Sequence, residues 1–308
     1  MTEFLASVTT LEGRVAIVTG AGRGIGRATA LALASRGARV LVNDLGSNLD
    51  GSSQIEDPAT EVVAAIEAAD GEAVSNDDSV AEWPSAQRII ESALDHFGRI
   101  DFLVNNAGLS AGGHILEVDP ELFDRVVRSH IHGSFHCLRA AAPHMRARHF
   151  GRIVNLVSRA GLIGMPDVAA YAAGKGGVFG LTNAASRDLA AFGITVNAVN
   201  PAATETRMVR AAIDTFRNQG ESEQRRAEGL VAALQPPEQV AALITALCHD
   251  DAARLNGQFI YIEKGRVGMF HPLEIDQWQS TEGSWTVETL IEALDGFKPL
   301  SLAAVYED

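Results

Sequence analysis

Seven short apolar runs, near 14–19, 39–43, 72–75, 100–105, 152–157, 195–199 and 258–262, alternate with longer Ala- and Leu-rich stretches. The stretches near 24–36, 58–69, 82–97, 119–149, 168–191, 205–218 and 237–249 carry helical periodicity. Strands that are apolar almost throughout are strands covered on both faces. Strand followed by helix, again and again, requires right-handed crossovers and a parallel sheet. An α/β fold follows, and 308 residues are enough for one large domain with a substantial core.

Composition removes other classes. Hydrophobic residues make up 46% and charged residues 21%, which excludes a disordered or fibrous chain. With 25 Lys+Arg against 39 Asp+Glu the formal charge is −14. Such a surface repels phosphate backbones and anionic lipid, so neither nucleic acid nor a membrane is an expected partner. No basic leader, long apolar run or peroxisomal address is visible, and a cytoplasmic protein is the expectation. Cys137 and Cys248 sit far apart in apolar helical contexts and read as reduced core thiols. His132 and His136 have a spacing that can hold zinc, but no third ligand is near, so no metal is expected.

Three segments depart from the alternation. The polar stretch 46–58 reads as a surface insertion, and 204–235, rich in Arg and Glu, as helices over a site. Residues 1–263 form the expected catalytic domain. The extension 264–308 holds Trp278 and Trp285 and is too short for its own core, so it should pack on that domain or on a neighbouring subunit.

The run Thr19-Gly20-Ala21-Gly22-Arg23-Gly24-Ile25-Gly26 follows a strand and opens a helix. Glycines there permit a tight turn and close approach to a pyrophosphate, which the free N–H groups of the helix then hold. Gly20, Arg23, Gly24, Ile25 and Gly26 are therefore candidate cofactor contacts. Asp44 ends the second strand eighteen residues after Gly26. A carboxylate there accepts ribose hydroxyls and repels a 2′-phosphate, which favours NAD over NADP. Arg23 and Arg39 are the counter-indication. Asp78 and Ser79, after the third strand, are placed for adenine. Asn105, Ala107 and Gly108 end the fourth strand where small residues leave room for ribose, and a purely structural Asn105 is an equal alternative.

Ser158 ends the fifth strand, Tyr171 follows thirteen residues on, and Lys175, one of only three lysines, four after that. Tyr and Lys at i, i+4 share a helix face. A phenol with a pKa of about 10 is a poor base at neutral pH, and lowering it by about three units takes roughly 4 kcal/mol of differential stabilisation, which a nearby ammonium can supply. Tyr171 then serves as acid/base, Ser158 holds the reacting oxygen, and Lys175 tunes Tyr171 and reaches the nicotinamide ribose.

Together, Thr19–Gly26, Asn105–Gly108, Ser158, Tyr171-Ala172-Ala173-Gly174-Lys175 and Asn200-Pro201 resemble the short-chain dehydrogenase/reductase family, over about residues 11–263. The resemblance implies a Rossmann-like, doubly wound sheet of about seven strands, a nicotinamide dinucleotide and a homodimer or homotetramer. It also implies that Pro201 and Thr206 contact the nicotinamide, with Thr204 the rival to Thr206. The family places an Asn in the long fourth helix to hold a water that links the Lys to solvent. His130 stands there instead, a relay kept through imidazole is the expectation, and a broken relay with a slower enzyme, or none, is the alternative. Val42–Gly46, Asn76–Val80, the His-containing helix and Leu247-Cys248-His249 are similar to the dehydrogenase unit of the multifunctional enzyme type 2 group, also called 17β-hydroxysteroid dehydrogenase type 4. That similarity implies NAD-dependent oxidation of a bulky apolar secondary alcohol, a 3-hydroxyacyl-CoA or a hydroxysteroid. The alternatives are an NADPH-dependent ketoacyl or carbonyl reductase, or a non-catalytic nucleotide-sensing module.

Overall fold

The computed structural model describes residues 10–52, 57–110, 112–218, 220–270, 275, 277–281 and 283–298. Eight strands form one sheet: β1 (Val15–Thr19), β2 (Arg39–Asn43), β3 (Ala73–Asn76), β4 (Phe102–Asn105), β5 (Gly151–Leu156), β6 (Ile194–Pro201), β7 (Phe259–Glu263) and β8 (Arg266–Met269). Their spatial order is β3-β2-β1-β4-β5-β6-β7-β8. All neighbours pair in parallel except β7 and β8. The strand order reverses between β1 and β4, and a doubly wound sheet binds its ligand outside the carboxyl ends of the strands at such a point.

The helices are α1 (Gly24–Ala34), α2 (Pro58–Glu67), α3 (Trp83–Phe97), α4 (Pro120–Val127), α5 (Gly133–Ala147), α6 (Ala160–Ile163), α7 (Ala169–Leu189), α8 (Arg207–Arg217), α9 (Glu221–Ala233), α10 (Pro237–Cys248) and α11 (Val287–Asp295). Strand side chains alternate between two cores, as a period of two demands. Ala16 and Val18 of β1 join Leu33 of α1, Ile66 of α2 and Ile244 of α10 on one face. Val15 and Ile17 join Ile89 of α3, Leu138 of α5 and Ala185 of α7 on the other. Both free cysteines are buried in these cores. Burial pushes each thiol up to about 12, which leaves them unreactive thiols.

Two elements differ from the sequence expectation. The sheet gains β8 because Lys264 (φ 35°) and Gly265 (φ 77°) both turn left-handed, the geometry of a two-residue hairpin loop. The continuous helix expected over 119–149 is divided. Between α4 and α5 the five residues Arg128–His132 form a π-helical turn, a wider coil found often at functional sites. The segment 204–235 is two helices, α8 and α9.

The chain separates into two compact units, 1–269 and 270–308. Within the second, Thr286 and Thr289 form a capping box that starts α11. Gln277 and Lys298 exchange two hydrogen bonds, at 2.8 and 3.0 Å. Among the described residues, no helix is long and apolar enough to cross a membrane.

Candidate active site

The glycine-rich turn lies between β1 and α1. Gly20 (φ +62°) and Gly26 cannot be replaced without collision: a Cβ on the first would lie 2.8 Å from Ala107 Cα, and one on the second 2.2 Å from the Gly20 carbonyl oxygen. Asn106, after β4, holds this turn. Its side-chain amide donates to the Thr19 and Gly20 carbonyls, both at 2.9 Å. The backbone N–H groups of Asn106 and Ala107 donate to the Thr19 hydroxyl, both at 3.1 Å. Arg23, the residue before α1, makes no side-chain cap, so the first N–H groups of that helix face the turn without an internal partner. A cradle of glycines that excludes any Cβ, ending at an uncapped helix N-terminus, fits a pyrophosphate. Gly24 and Ile25 begin that helix, and a Cβ on Gly24 would lie 3.0 Å from the Thr206 methyl.

Asp44 stands beside the same turn, its two carboxylate oxygens accepting from Gly22 N–H at 2.9 Å and Gly46 N–H at 2.8 Å. Asp78 faces a different set of partners. Arg88 donates to it through Nε at 2.8 Å and also through Nη2, Ser85 donates at 3.0 Å and Asn76 at 3.1 Å. Burial works to raise the Asp78 pKa, but these hydrogen bonds prevail and hold it below the usual carboxylate range. The Ser79 hydroxyl accepts from Ala81 N–H at 3.2 Å.

Asn105 donates to Asn155 Oδ1 at 2.8 Å, and Asn155 to the Thr182 hydroxyl at 2.9 Å, a chain that ties β4 to β5 and α7. Pro201 ends β6 opposite Ile262. Thr204 is buried, donates to the Ala202 carbonyl at 2.9 Å and accepts from Gln235 at 3.4 Å. Thr206 instead caps α8, accepting from Val209 N–H at 3.3 Å, with its methyl towards Gly24. Of the two threonines, Thr206 is the one that lies against the glycine-rich turn.

At the chemical end, the Ser158 hydroxyl accepts from Ala160 N–H at 3.2 Å and lies near enough to the buried Tyr171 phenol to favour its ionised form. Lys175 Nζ lies 5.7 Å from the centre of the Tyr171 ring and donates to the Leu156 carbonyl at 2.8 Å. The ammonium was expected to draw the phenol down. Burial dominates instead. It pushes Tyr171 up, opposed by the Ser158 hydroxyl, and pushes Lys175 down to about 7. His130 is 1% exposed, and its ring meets that of Tyr171 edge-on, centroids 5.5 Å apart at 86°. Its Nε2 lies 2.9 Å from the Leu109 carbonyl oxygen. Burial, with the Lys175 charge, takes the imidazole down to about 3, so it is neutral. Among the described residues, no group of three or more His, Cys, Asp or Glu side chains is placed to hold a metal.

A nucleotide cradle and a Ser–Tyr–Lys set at the carboxyl ends of one parallel sheet define a dinucleotide-dependent oxidoreductase. Residues 14–216 match the family model described as short chain dehydrogenase, and the chain belongs to that family. It is 38% identical over 280 residues to the peroxisomal multifunctional enzyme type 2 of Mus musculus, 91% of this chain. The match spans 35% of the length of that longer protein. It is also 38% identical over 266 residues to the 3-oxoacyl-[acyl-carrier-protein] reductase of a Synechocystis strain, covering 84% of this chain and 99% of that one. A solved short chain dehydrogenase from Mycobacterium avium superposes with a TM-score of 0.79 at 34% identity, over 95% and 98% of the two chains. Members of the family are oxidoreductases that use NAD or NADP and act on small molecules.

Within Asn105–Gly108 the sequence does not single out Asn106, and it gives no role to Pro58 or Arg88. A Cβ on Gly22 would lie 2.6 Å from Pro58 Cβ, so the start of α2 closes on the turn. The adjacency of Asn106 to Asn105 was the available signal. No local spacing announces the Arg88–Asp78 pair.

Proposed function

We propose that this chain is an NAD-dependent dehydrogenase that interconverts a bulky apolar secondary alcohol and its ketone, with a 3-hydroxyacyl-CoA or a hydroxysteroid as substrate. The observation that carries the reading is the buried Tyr171 phenol with Ser158 beside it and Lys175 Nζ 5.7 Å from its ring centre. When bound, the nicotinamide accepts or returns a hydride. Tyr171 exchanges the hydroxyl proton with the substrate, Ser158 bonds the same oxygen, and Lys175 reaches the nicotinamide ribose. Gly20, Arg23, Gly24, Ile25 and Gly26 hold the pyrophosphate. Asp44 receives the adenosine ribose, with Asp78 and Ser79 at adenine and Asn105, Ala107 and Gly108 along the same edge. Pro201 and Thr206 contact the nicotinamide.

The preference for NAD rests on Asp44. Its carboxylate is fixed beside the turn by two backbone N–H groups, where a 2′-phosphate would meet a like charge. The acyl-CoA class rests on the similarity to the mouse multifunctional enzyme. A second reading, reduction of a 3-oxoacyl thioester, is favoured by the match over 99% of the Synechocystis reductase. A cytoplasmic homodimer or homotetramer, with residues 1–263 as the catalytic domain, completes the proposal.

Nicotinamide absorbance tests it. The enzyme is given NAD or NADP with a 3-hydroxyacyl-CoA, a steroid 17β-alcohol or, in reverse, a 3-oxoacyl thioester. Turnover of the CoA ester or the steroid with NAD is expected. Faster thioester reduction with NADPH than any oxidation with NAD would replace this reading with the second.

A further inference from the structure

His130 sits in the middle of the chemical end, on a π-helical turn that no other helix among the described residues carries. The π-helical turn Arg128–His132 carries it inward, and its ring fills the space between two glycines. A Cβ on Gly108 would lie 2.2 Å from the imidazole Cε1, and one on Gly174 would lie 3.1 Å from its Cδ2. One belongs to the loop after β4, the other to the helix of Tyr171 and Lys175. The ring is therefore wedged between the nucleotide side of the crevice and the catalytic helix.

Its hydrogen bonding is equally one-sided. A carbonyl oxygen only accepts, so Nε2 carries the hydrogen in the contact with Leu109 at 2.9 Å. Nδ1 is then the unprotonated nitrogen, and it is buried with no partner among the described residues. A proton passed through an imidazole enters at one nitrogen and leaves at the other. Here the exit would be a peptide carbonyl, which takes up no proton near neutral pH. The same Leu109 peptide also supports the insertion after Asp44: Ser110 N–H donates to the Leu49 carbonyl at 3.1 Å, and a Cβ on Gly51 would lie 3.0 Å from a Leu109 methyl.

We propose that His130 is a positioning residue: a ring wedged between Gly108 and Gly174 that ties the Leu109 carbonyl to the Tyr171 ring, and so holds the phenol at Ser158 without carrying a proton. This rests on the assignment of Tyr171 as acid/base above.

The test compares His130→Ala, His130→Phe, Gly108→Ala and the double variant Gly108→Ala/His130→Ala with the unaltered enzyme, by nicotinamide turnover and by thermal unfolding. His130→Ala should lower kcat about 10- to 100-fold, the loss that a misplaced catalytic group brings. His130→Phe, a ring that fills the wedge and moves no proton but gives up the Leu109 bond, should recover part of that loss. A His130→Phe enzyme as slow as His130→Ala, or rescue of His130→Ala by added imidazole, overturns the proposal and makes His130 a relay. Unfolding tests the wedge without turnover. Gly108→Ala overlaps the ring, so it should lower the midpoint in the His130 background and leave it unchanged in the His130→Ala background. Equal losses in both backgrounds contradict the wedge. If Tyr171→Phe turns over like the unaltered enzyme while this coupling is present, the acid/base assignment is what fails, and the positioning role fails with it.

Discussion

At the nucleotide end, Asp44 accepts from two backbone N–H groups, and Asn106 bonds two carbonyls of the turn it supports. At the chemical end, His130 keeps an orphaned nitrogen, Lys175 is pushed down to about 7 with the Leu156 carbonyl as its acceptor, and Tyr171 is pushed up. The two ends lie along the carboxyl edge of one sheet, the first on β1 to β4 and the second on β5, β6 and α7. The first is made of backbone and small polar groups braced by hydrogen bonds within the loops, with the first N–H groups of α1 left open, which suits a cradle for a ligand. The second holds titratable groups in a dry place, where burial displaces their ionisation. Around this sheet edge, displacement driven by burial falls at the chemical end, while at the nucleotide end hydrogen bonds hold Asp78 down and the first N–H groups of α1 stay open to a ligand.

That division can be broken by single substitutions. The largest effect belongs to the chemical end. Tyr171→Phe should lower kcat/KM by about 10²- to 10⁴-fold, the range of a positioned general acid or base, with nucleotide affinity retained in a fluorescence titration. Loss of both together would mean that the two ends are one site. Next is Gly26→Ala. Its methyl would lie 2.2 Å from the Gly20 oxygen and 2.5 Å from Asn106 Nδ2, so unfolding should come earlier by about 1–3 kcal/mol and nucleotide affinity should fall. Unchanged affinity in that variant would separate the turn from the cofactor. Smaller again is Asp44→Ala. It leaves the Gly22 and Gly46 N–H groups without their acceptor, and should cost about 1–3 kcal/mol in unfolding. It should also narrow the ratio of NAD to NADP turnover, and an unaltered rejection of NADP removes Asp44 as the discriminating residue.

Much of the nucleotide end is legible in the sequence, because it is local. The spacing Gly20 to Gly26, the strand before it and Asp44 after β2 all follow from neighbours along the chain. The seven parallel strands are legible for the same reason, since each is an apolar run bounded by helix. The eighth is not, because Arg266–Met269 is exposed along its whole length and carries no burial pattern. The π-helical turn is hidden within periodicity that suits one continuous helix over 119–149. At the chemical end the identities Ser158, Tyr171 and Lys175 are legible and their energetics are not. Depth of burial is a property of the packed fold, and it reverses the expected direction for Tyr171. Partners distant in sequence are hidden likewise: Gln235 with Thr204, and the Leu109 peptide with His130.

The central claim is that one buried phenol moves the proton in both directions. The most direct test is kcat/KM against pH from 6 to 10, for alcohol oxidation and for reduction of the matching ketone. Burial holds the free-enzyme Tyr171 above its ordinary value of about 10, so it is protonated at neutral pH. Oxidation needs the phenolate and should climb with pH across the whole range. Reduction needs the phenol and should stay level, falling only as the phenol ionises. Oxidation that is flat over this range, or a pH dependence that survives unchanged in the residual activity of Tyr171→Phe, would contradict the account.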